Sequence, residues 1–317
     1  MPKYVLTGCD GNLGSIAATY ALTLAKPGDE LVLASHRPGF IHGDLMHEWA
    51  AKGARILMLD YNDTPNLKRV FAGAEAISFI STWLIGNGRR QQHKKVIDAA
   101  KSVGVKRICY TSFVGADLGD GGEEMPFLPR DHAYTERLIK ESGLQYNIQR
   151  NYLYMDNIPQ FFASCWNFTG DKWLCNSGGE KGAFVAREDC GRVLGALLMG
   201  KGEPNTTYTI TGPQAVTNNE IFDWMAEQSG YKGQFEEVSD EELENWWKAH
   251  GLPYDIYGNF SQVPCKLCMH DLLCCGQMVA LGHMKETTDA VELLTGRKPI
   301  DYKEYLLKYK DIFPRSH

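Results

Sequence analysis

Gly8, Gly11 and Gly14 stand at G-x-x-G-x-x-G spacing directly after the apolar run Tyr4-Val5-Leu6-Thr7. A strand that breaks into such a turn and then starts a helix turns backbone N–H groups and the positive end of a helix dipole toward a diphosphate, with no Cβ in the way. The loop formed by Gly8, Asp10, Gly11, Asn12, Leu13 and Gly14 is therefore a candidate nucleotide cradle. On spacing alone, a glycine turn that only joins strand to helix is the alternative. A second apolar run, 30–37, ends in Ser35-His36-Arg37. In a βαβ nucleotide-binding unit this point lies beside the adenosine ribose, where an acid would accept from the 2′-hydroxyl and favour NAD. Here the acid is missing, His36 and Arg37 supply donors, and a guanidinium matches the oxygens of a phosphate, so the expected cofactor is NADPH.

These residues need a scaffold, and the next segments repeat a βα rhythm. Strands are expected over 54–59, 76–80 and 105–110, with a helix capped near Thr64-Pro65 and another over 91–103. The strands end at Asp60-Tyr61, at Ser81-Thr82 and at Thr111-Ser112 followed by Phe113. Short apolar strands alternating with helices imply an α/β fold, a Rossmann-type doubly wound parallel sheet that binds ligands at the carboxyl ends of its strands. Residues 115–129 read as a loop able to lie over a site, 132–142 as a helix and 146–150 as a sixth strand. Beyond that point the rhythm fades. The expected division is an NADP-binding domain over 1–150 and, over 151–317, a smaller C-terminal substrate lobe with some segments returning to the sheet. The first part of this lobe is dense in aromatic residues, with Tyr152, Tyr154, Phe161, Phe162 and Trp166 in close succession. Ring faces there would stack on a flat ligand, which makes Tyr152, Phe161, Phe162 and Trp166, together with Phe113, candidate substrate contacts.

Composition narrows the function further. A formal net charge of −6 argues against a general nucleic-acid surface. No apolar run is long enough to span a membrane, and the chain opens on a strand rather than a signal peptide. The nine cysteines then read as reduced thiols of a cytoplasmic protein. Cys265-x-x-Cys268, with Cys274, Cys275, His270 and His283 nearby, lacks the second ligand pair of a zinc site, so no metal is expected. Cys9 lies near a helix start, where a thiol can be acidified, yet reads better as a small filler of the loop. The partner expected is a small aromatic substrate, with no nucleic acid and no membrane; oligomeric state stays open, a homodimer being the candidate assembly.

Taken in order, Thr7-Gly8-x-x-Gly11-x-x-Gly14, Arg37, Asp60-Tyr61-Asn62, Arg150-Asn151-x-x-Tyr154, the run from Arg187 to Val193 and Leu294-Thr295-Gly296-Arg297-Lys298-Pro299 span nearly the whole chain. Together they resemble the NmrA-like atypical short-chain dehydrogenase/reductases, most of all the bacterial NADPH-dependent quinone and triphenylmethane dye reductases, and more distantly the plant isoflavone, pinoresinol-lariciresinol and phenylcoumaran benzylic ether reductases. The resemblance implies an NADPH-dependent reductase of a quinone, quinone methide or benzylic ether, with Asn151 and Tyr154 near the nicotinamide. Because the family also holds members that bind the dinucleotide as a signal, a non-catalytic NADP(H)-sensing regulator is the alternative. Ordinary short-chain dehydrogenases pair a tyrosine with a lysine four residues on, but four residues after Tyr134 stands Leu138. Aligned on Leu144-Gln145-Tyr146-Asn147, the plant enzymes' catalytic lysine falls on His132. The resemblance thus makes His132 the candidate acid/base, an imidazole being suited to proton transfer near neutral pH.

Overall fold

The computed structural model describes residues 1–119 and 125–316. In chain order the elements are β1 (Lys3–Thr7), α1 (Asn12–Leu24), β2 (Glu30–Ser35), α2 (Gly43–Ala51), β3 (Arg55–Met58), α3 (Thr64–Phe71), β4 (Ala74–Phe79), α4 (Gly86–Ser102), β5 (Arg107–Phe113), α5 (Phe127–Glu141) and β6 (Gln145–Asn151). They continue with β7 (Lys172–Cys175), β8 (Lys181–Gly182), α6 (Arg187–Leu198), β9 (Thr206–Ile210), β10 (Val216–Thr217), α7 (Asn218–Ser229), β11 (Gln234–Glu237), α8 (Asp240–Ala249), α9 (Met269–Ala280), α10 (Ala290–Thr295) and α11 (Tyr302–Leu306). Among these residues no helix is long and apolar enough to cross a membrane.

Seven strands form one parallel sheet in the order β3-β2-β1-β4-β5-β6-β9. Its central strands are buried on both faces, as Val5, Leu6, Val32, Leu33, Ile77 and Ile108 show, which is why they read as continuous apolar runs rather than alternating ones. From β1 the chain winds outward through β2 and β3, then returns to start β4 on the other side. The loops leaving β1 and β4 therefore part, and a crevice opens between them.

The position of α1 is fixed by close packing on α6. A Cβ at Gly191 would lie 2.7 Å from Ile16, and one at Gly195 would lie 2.7 Å from the Ala17 carbonyl oxygen. The two glycines of α6 thus make room for the Ile16 side chain and the backbone of α1 at Ala17 and Ala21, so the helices approach closely.

The strand at 206–210 is a C-terminal segment that joins the large sheet, paired parallel with β6, with its Ile210 buried in the core. Two expectations change. The helix expected from 132 starts at Phe127, so the loop ends earlier than its composition suggests; positions 120–124 of that loop lie outside the described residues. The aromatic segment does not turn toward a ligand as a unit. Trp166 is 1% exposed, stacked on Trp173 at 5.2 Å between ring centres and tilted against Phe222 at 4.8 Å, while Phe162 packs on Trp173 at 5.9 Å. Outside the large sheet the strands among the described residues form just the two-stranded pairs β7–β11 and β8–β10, and large rings pack beside them.

Candidate functional site

Gly8 has φ +66°, a left-handed conformation that L side chains rarely adopt, and its carbonyl accepts from the Gly11 N–H at 3.1 Å. Gly14 is constrained more tightly: a Cβ there would sit 1.9 Å from the Gly8 carbonyl oxygen. The turn therefore folds back on the first turn of α1. That helix has no side chain capping its N-terminus and no acid in its first turn, which leaves its free N–H groups and dipole facing the crevice.

The crevice is a cleft of about 530 Å³ whose wall includes Gly8, Asp10 and Gly11 from the β1 loop, His36 after β2, Asp60 and Tyr61 after β3, and Ser81 and Thr82 after β4. Eight residues named from the sequence are thus brought together. Asn12 is exposed at the start of α1, whereas Leu13 is buried beneath it. Arg37, next to His36, is exposed and is not among the residues that line the cleft; its guanidinium lies 4.5 Å from the centre of the Phe40 ring and has no carboxylate partner among the described residues. Sequence reasoning missed Leu59, Ile80, Trp83, Leu84 and Gln92, which also line the cleft. Their positions just past strand ends were the available signal for all but Gln92. Trp83 is 70% exposed and offers a ring face to a flat group.

The floor of the cleft is stitched by hydroxyl groups. Tyr61 donates to the Ile80 carbonyl at 2.9 Å and accepts from Thr7, whose Oγ1 accepts in turn from the Ile80 N–H at 3.1 Å. Burial pushes the Tyr61 phenol far above its ordinary range, so it stays protonated and ties the ends of β1 and β4 together. Thr111 Oγ1 accepts from the Ser81 N–H at 2.8 Å. Ser112 turns away from the cleft and donates to Glu136 at 2.7 Å, where Arg150 closes a two-pronged ion pair at 2.8 and 2.6 Å. Burial raises the Glu136 pKa, but the Arg150 fork outweighs it and holds the carboxyl below its ordinary range.

Asn151 and Tyr154 are joined to each other, the amide donating to the phenol oxygen at 2.9 Å, with Gln149 donating to Asn151 at 2.9 Å and to the Cys190 carbonyl of α6 at 3.2 Å. Neither lines the cleft; Tyr154 instead lines a separate small cavity with Leu153, Phe162 and Phe184. Tyr152 faces a separate small cavity beside Arg150 and His283, and Phe161 is half-buried on the second lobe. Burial pushes the Cys9 thiol up to about 12, overriding the helix start next to it. Among the described residues no group of three or more His, Cys, Asp and Glu is arranged around a metal position.

His132 is 4% exposed and lies on α5 with its Nδ1 2.7 Å from the Tyr110 hydroxyl and its ring 6.0 Å from that of Phe113. Burial first, then Arg89 and His93, hold its pKa well below 6.5. A second histidine sits beside it: His93 Nε2 accepts from the Thr82 N–H at 3.1 Å, which leaves Nδ1 to donate to Thr135 Oγ1 at 2.8 Å and the threonine to donate to the Asp131 carbonyl at 3.0 Å. His93 is likewise held well below 6.5, by burial and then by Arg89. Both imidazoles are therefore neutral at neutral pH, and His132 meets Tyr110 as a hydrogen-bonding group.

A parallel sheet with its crevice at the β1/β4 switch, a glycine cradle and an open helix N-terminus define a dinucleotide-binding protein of the Rossmann type. The comparisons agree. A family model for NAD(P)H-binding proteins matches residues 29–162, beginning after the glycine loop. Quinone oxidoreductase 2 of Escherichia coli is 28% identical over 249 residues, 78% of this chain and 82% of that protein. An NmrA-like family domain-containing oxidoreductase of Aspergillus flavus is 26% identical over 244 residues, 76% of each chain. The crystal structure of Citrobacter sp. triphenylmethane reductase complexed with NADP(H) superposes with a TM-score of 0.76 at 24% identity, covering 98% of this chain and 100% of that one. The chain is thus similar to NAD(P)H-binding and NmrA-like oxidoreductases over most of its length and shares the fold of the triphenylmethane reductase; it is an NAD(P)H-dependent oxidoreductase.

Proposed function

We propose that the protein uses NADPH to reduce a small aromatic or conjugated electrophile, such as a quinone, a quinone methide or a lignan-type benzylic ether. The observation that carries this reading is the cleft itself, which joins a glycine cradle at one end to the α4 wall and the exposed ring of Trp83 at the other. Gly8, Gly11 and the start of α1 would hold the diphosphate. His36 and Arg37 would face the ribose, and the absence of an acid on the end of β2 favours a 2′-phosphate there. NADPH, when bound, supplies the hydride. The protein's own share is orientation and exclusion of water, because neutral His132 offers a hydrogen bond and no ready proton. A substrate that is already electrophilic needs no more than this.

Stopped cuvette assays of NADPH oxidation across quinones, triphenylmethane dyes, lignans and isoflavonoids test the reading. Turnover is expected with the electrophiles; none across the whole set would leave the NADP(H)-sensing regulator as the better account. The cofactor assignment has its own test. NADPH is expected to bind more tightly than NADH, and Arg37→Asp to erase or invert the preference, a change of about 10- to 100-fold for one charge-assisted pair. Equal affinities for the two cofactors in the unmutated protein would overturn it.

A further inference from the structure

Arg89, on the first turns of α4, is 5% exposed, and its Nε and Nη1 donate to nothing. A buried guanidinium without acceptors is costly, since charge is removed from water and its N–H bonds go unused. The acids nearest in charge do not relieve it. Asp131 is already taken by the Gly86 N–H at 2.6 Å and by Arg90 Nε at 2.8 Å, and Asp271 accepts from the Cys268 thiol at 3.4 Å. Burial outweighs the attraction of Tyr110, Asp131 and Asp271 and lowers the Arg89 pKa, although a guanidinium stays charged at neutral pH. The fold thus keeps an unpaired positive charge where packing alone would place a methionine or leucine.

The location gives that charge a use. Leu84, just before α4, and Gln92, one turn past Arg89, line the cofactor cleft; Arg89 lies between them in sequence, is not itself among the lining residues, and shares the buried seam of Tyr110, His132 and His93. Two more polar atoms are buried without partners: Gln92 Oε1 on the same helix, and Nδ1 of His270, which with Arg89 acts on Asp271. Burial, with the charge of Arg89 adding to it, keeps both His132 and His93 neutral.

We propose that Arg89 receives the oxygen that carries negative charge on an aromatic ligand: the phenolate of a bound phenol, or a quinone oxygen as the ring is reduced. For substrate class this rests on the reductase reading above. When hydride adds to a quinone, an electron pair moves from the carbonyl double bond onto the oxygen. The N–H groups of Arg89 hold that phenolate by hydrogen bonds alone, and water protonates it on release, so no resident acid is required. This matches a neutral His132.

The test uses the full-length protein loaded with NADP+, with 4-nitrophenolate as the anionic probe and nitrobenzene as its neutral counterpart. Binding is followed by the visible spectrum of the phenolate and by equilibrium dialysis. Arg89→Met is expected to weaken phenolate binding about 10- to 100-fold, the range of a charge-assisted hydrogen bond, while nitrobenzene binds as before. Arg89→Lys, which restores the charge with poorer geometry, should recover part of the loss. The thermal midpoint of Arg89→Met should rise, because an unpaired buried charge has been removed. Unchanged phenolate affinity in Arg89→Met, or equal losses for phenolate and nitrobenzene, would overturn the proposal; if that variant does not fold, undiminished phenolate binding by Arg89→Gln does the same. Arg89-dependent phenolate binding in a protein that reduces none of the quinones or dyes would uphold this site and remove the reductase reading, so the two fail separately.

Discussion

Gly14→Ala is expected to lose NADPH binding by about 10- to 100-fold or more and to lower the thermal midpoint as well. The added Cβ would lie 1.9 Å from the Gly8 carbonyl oxygen, 2.7 Å from its carbon and 3.0 Å from Cys9 Cα, all backbone atoms that cannot rotate away. Overpacking of this kind costs about 1–3 kcal/mol, and here the relief must come from sliding α1 or opening the turn that forms the cradle. Neither movement is free, since α1 is pinned to α6 by the close approach at Gly191 and Gly195. Gly11→Ala is the control. Its Cβ would stand 3.5 Å from the same oxygen, an ordinary contact, so the fold should be unaffected and any loss of affinity would report the approach of the cofactor to the exposed loop. Calorimetric titration with NADPH and thermal unfolding of both variants check the pair. Wild-type affinity in Gly14→Ala would remove the glycine loop from the binding site.

Acidification below about pH 6.5 is expected to destabilise the protein steeply through His93 and His132. Both are buried and held well below 6.5, so over that window the unfolded chain binds protons that the folded chain refuses. Stability therefore rises with pH across the window and is lost as pH falls, by up to about 1.4 kcal/mol per pH unit for each histidine. Glu136, held low by Arg150 against burial, adds loss of the same sign at more acid pH. Asp189 and Asp271, raised chiefly by burial, act in the opposite sense, because the folded chain takes up their protons more readily than the unfolded one. The informative quantity is consequently the difference between proteins. His93→Gln, in which the amide can still accept from Thr82, should lower the slope of denaturant midpoint against pH by about one proton's worth. An unchanged slope would mean that His93 is charged or solvated in the folded state.

Much of the cofactor half was legible because it rests on local rules. A strand that meets Gly8, Gly11 and Gly14 must turn there, and the ends of β2, β3 and β4 must converge on the crevice once the sheet is parallel. Hence Asp10, His36, Asp60, Tyr61, Ser81 and Thr82 all line it. The substrate half was not legible in the same way. Trp166 and Phe162 were dense in sequence beside the sixth strand, but density cannot distinguish a stacking surface from a core, and packing buried Trp166 against Trp173 while Phe162 lines a small cavity apart from the cleft. Trp83, which does face the cleft, stood alone in its segment.

By itself the sequence determined the parallel sheet, the placement of the glycine cradle and the basic end of β2, since strand propensity, glycine spacing and side-chain charge are properties of single segments. Only the tertiary structure decided that His132 is neutral, that Asn151 and Tyr154 are hydrogen-bonded to each other away from the cleft, and that Arg89 is buried without an acceptor. Those facts depend on what α4, α5 and α9 bring against one another across long stretches of chain, and desolvation, which sets the state of a charge, exists only once that packing is made.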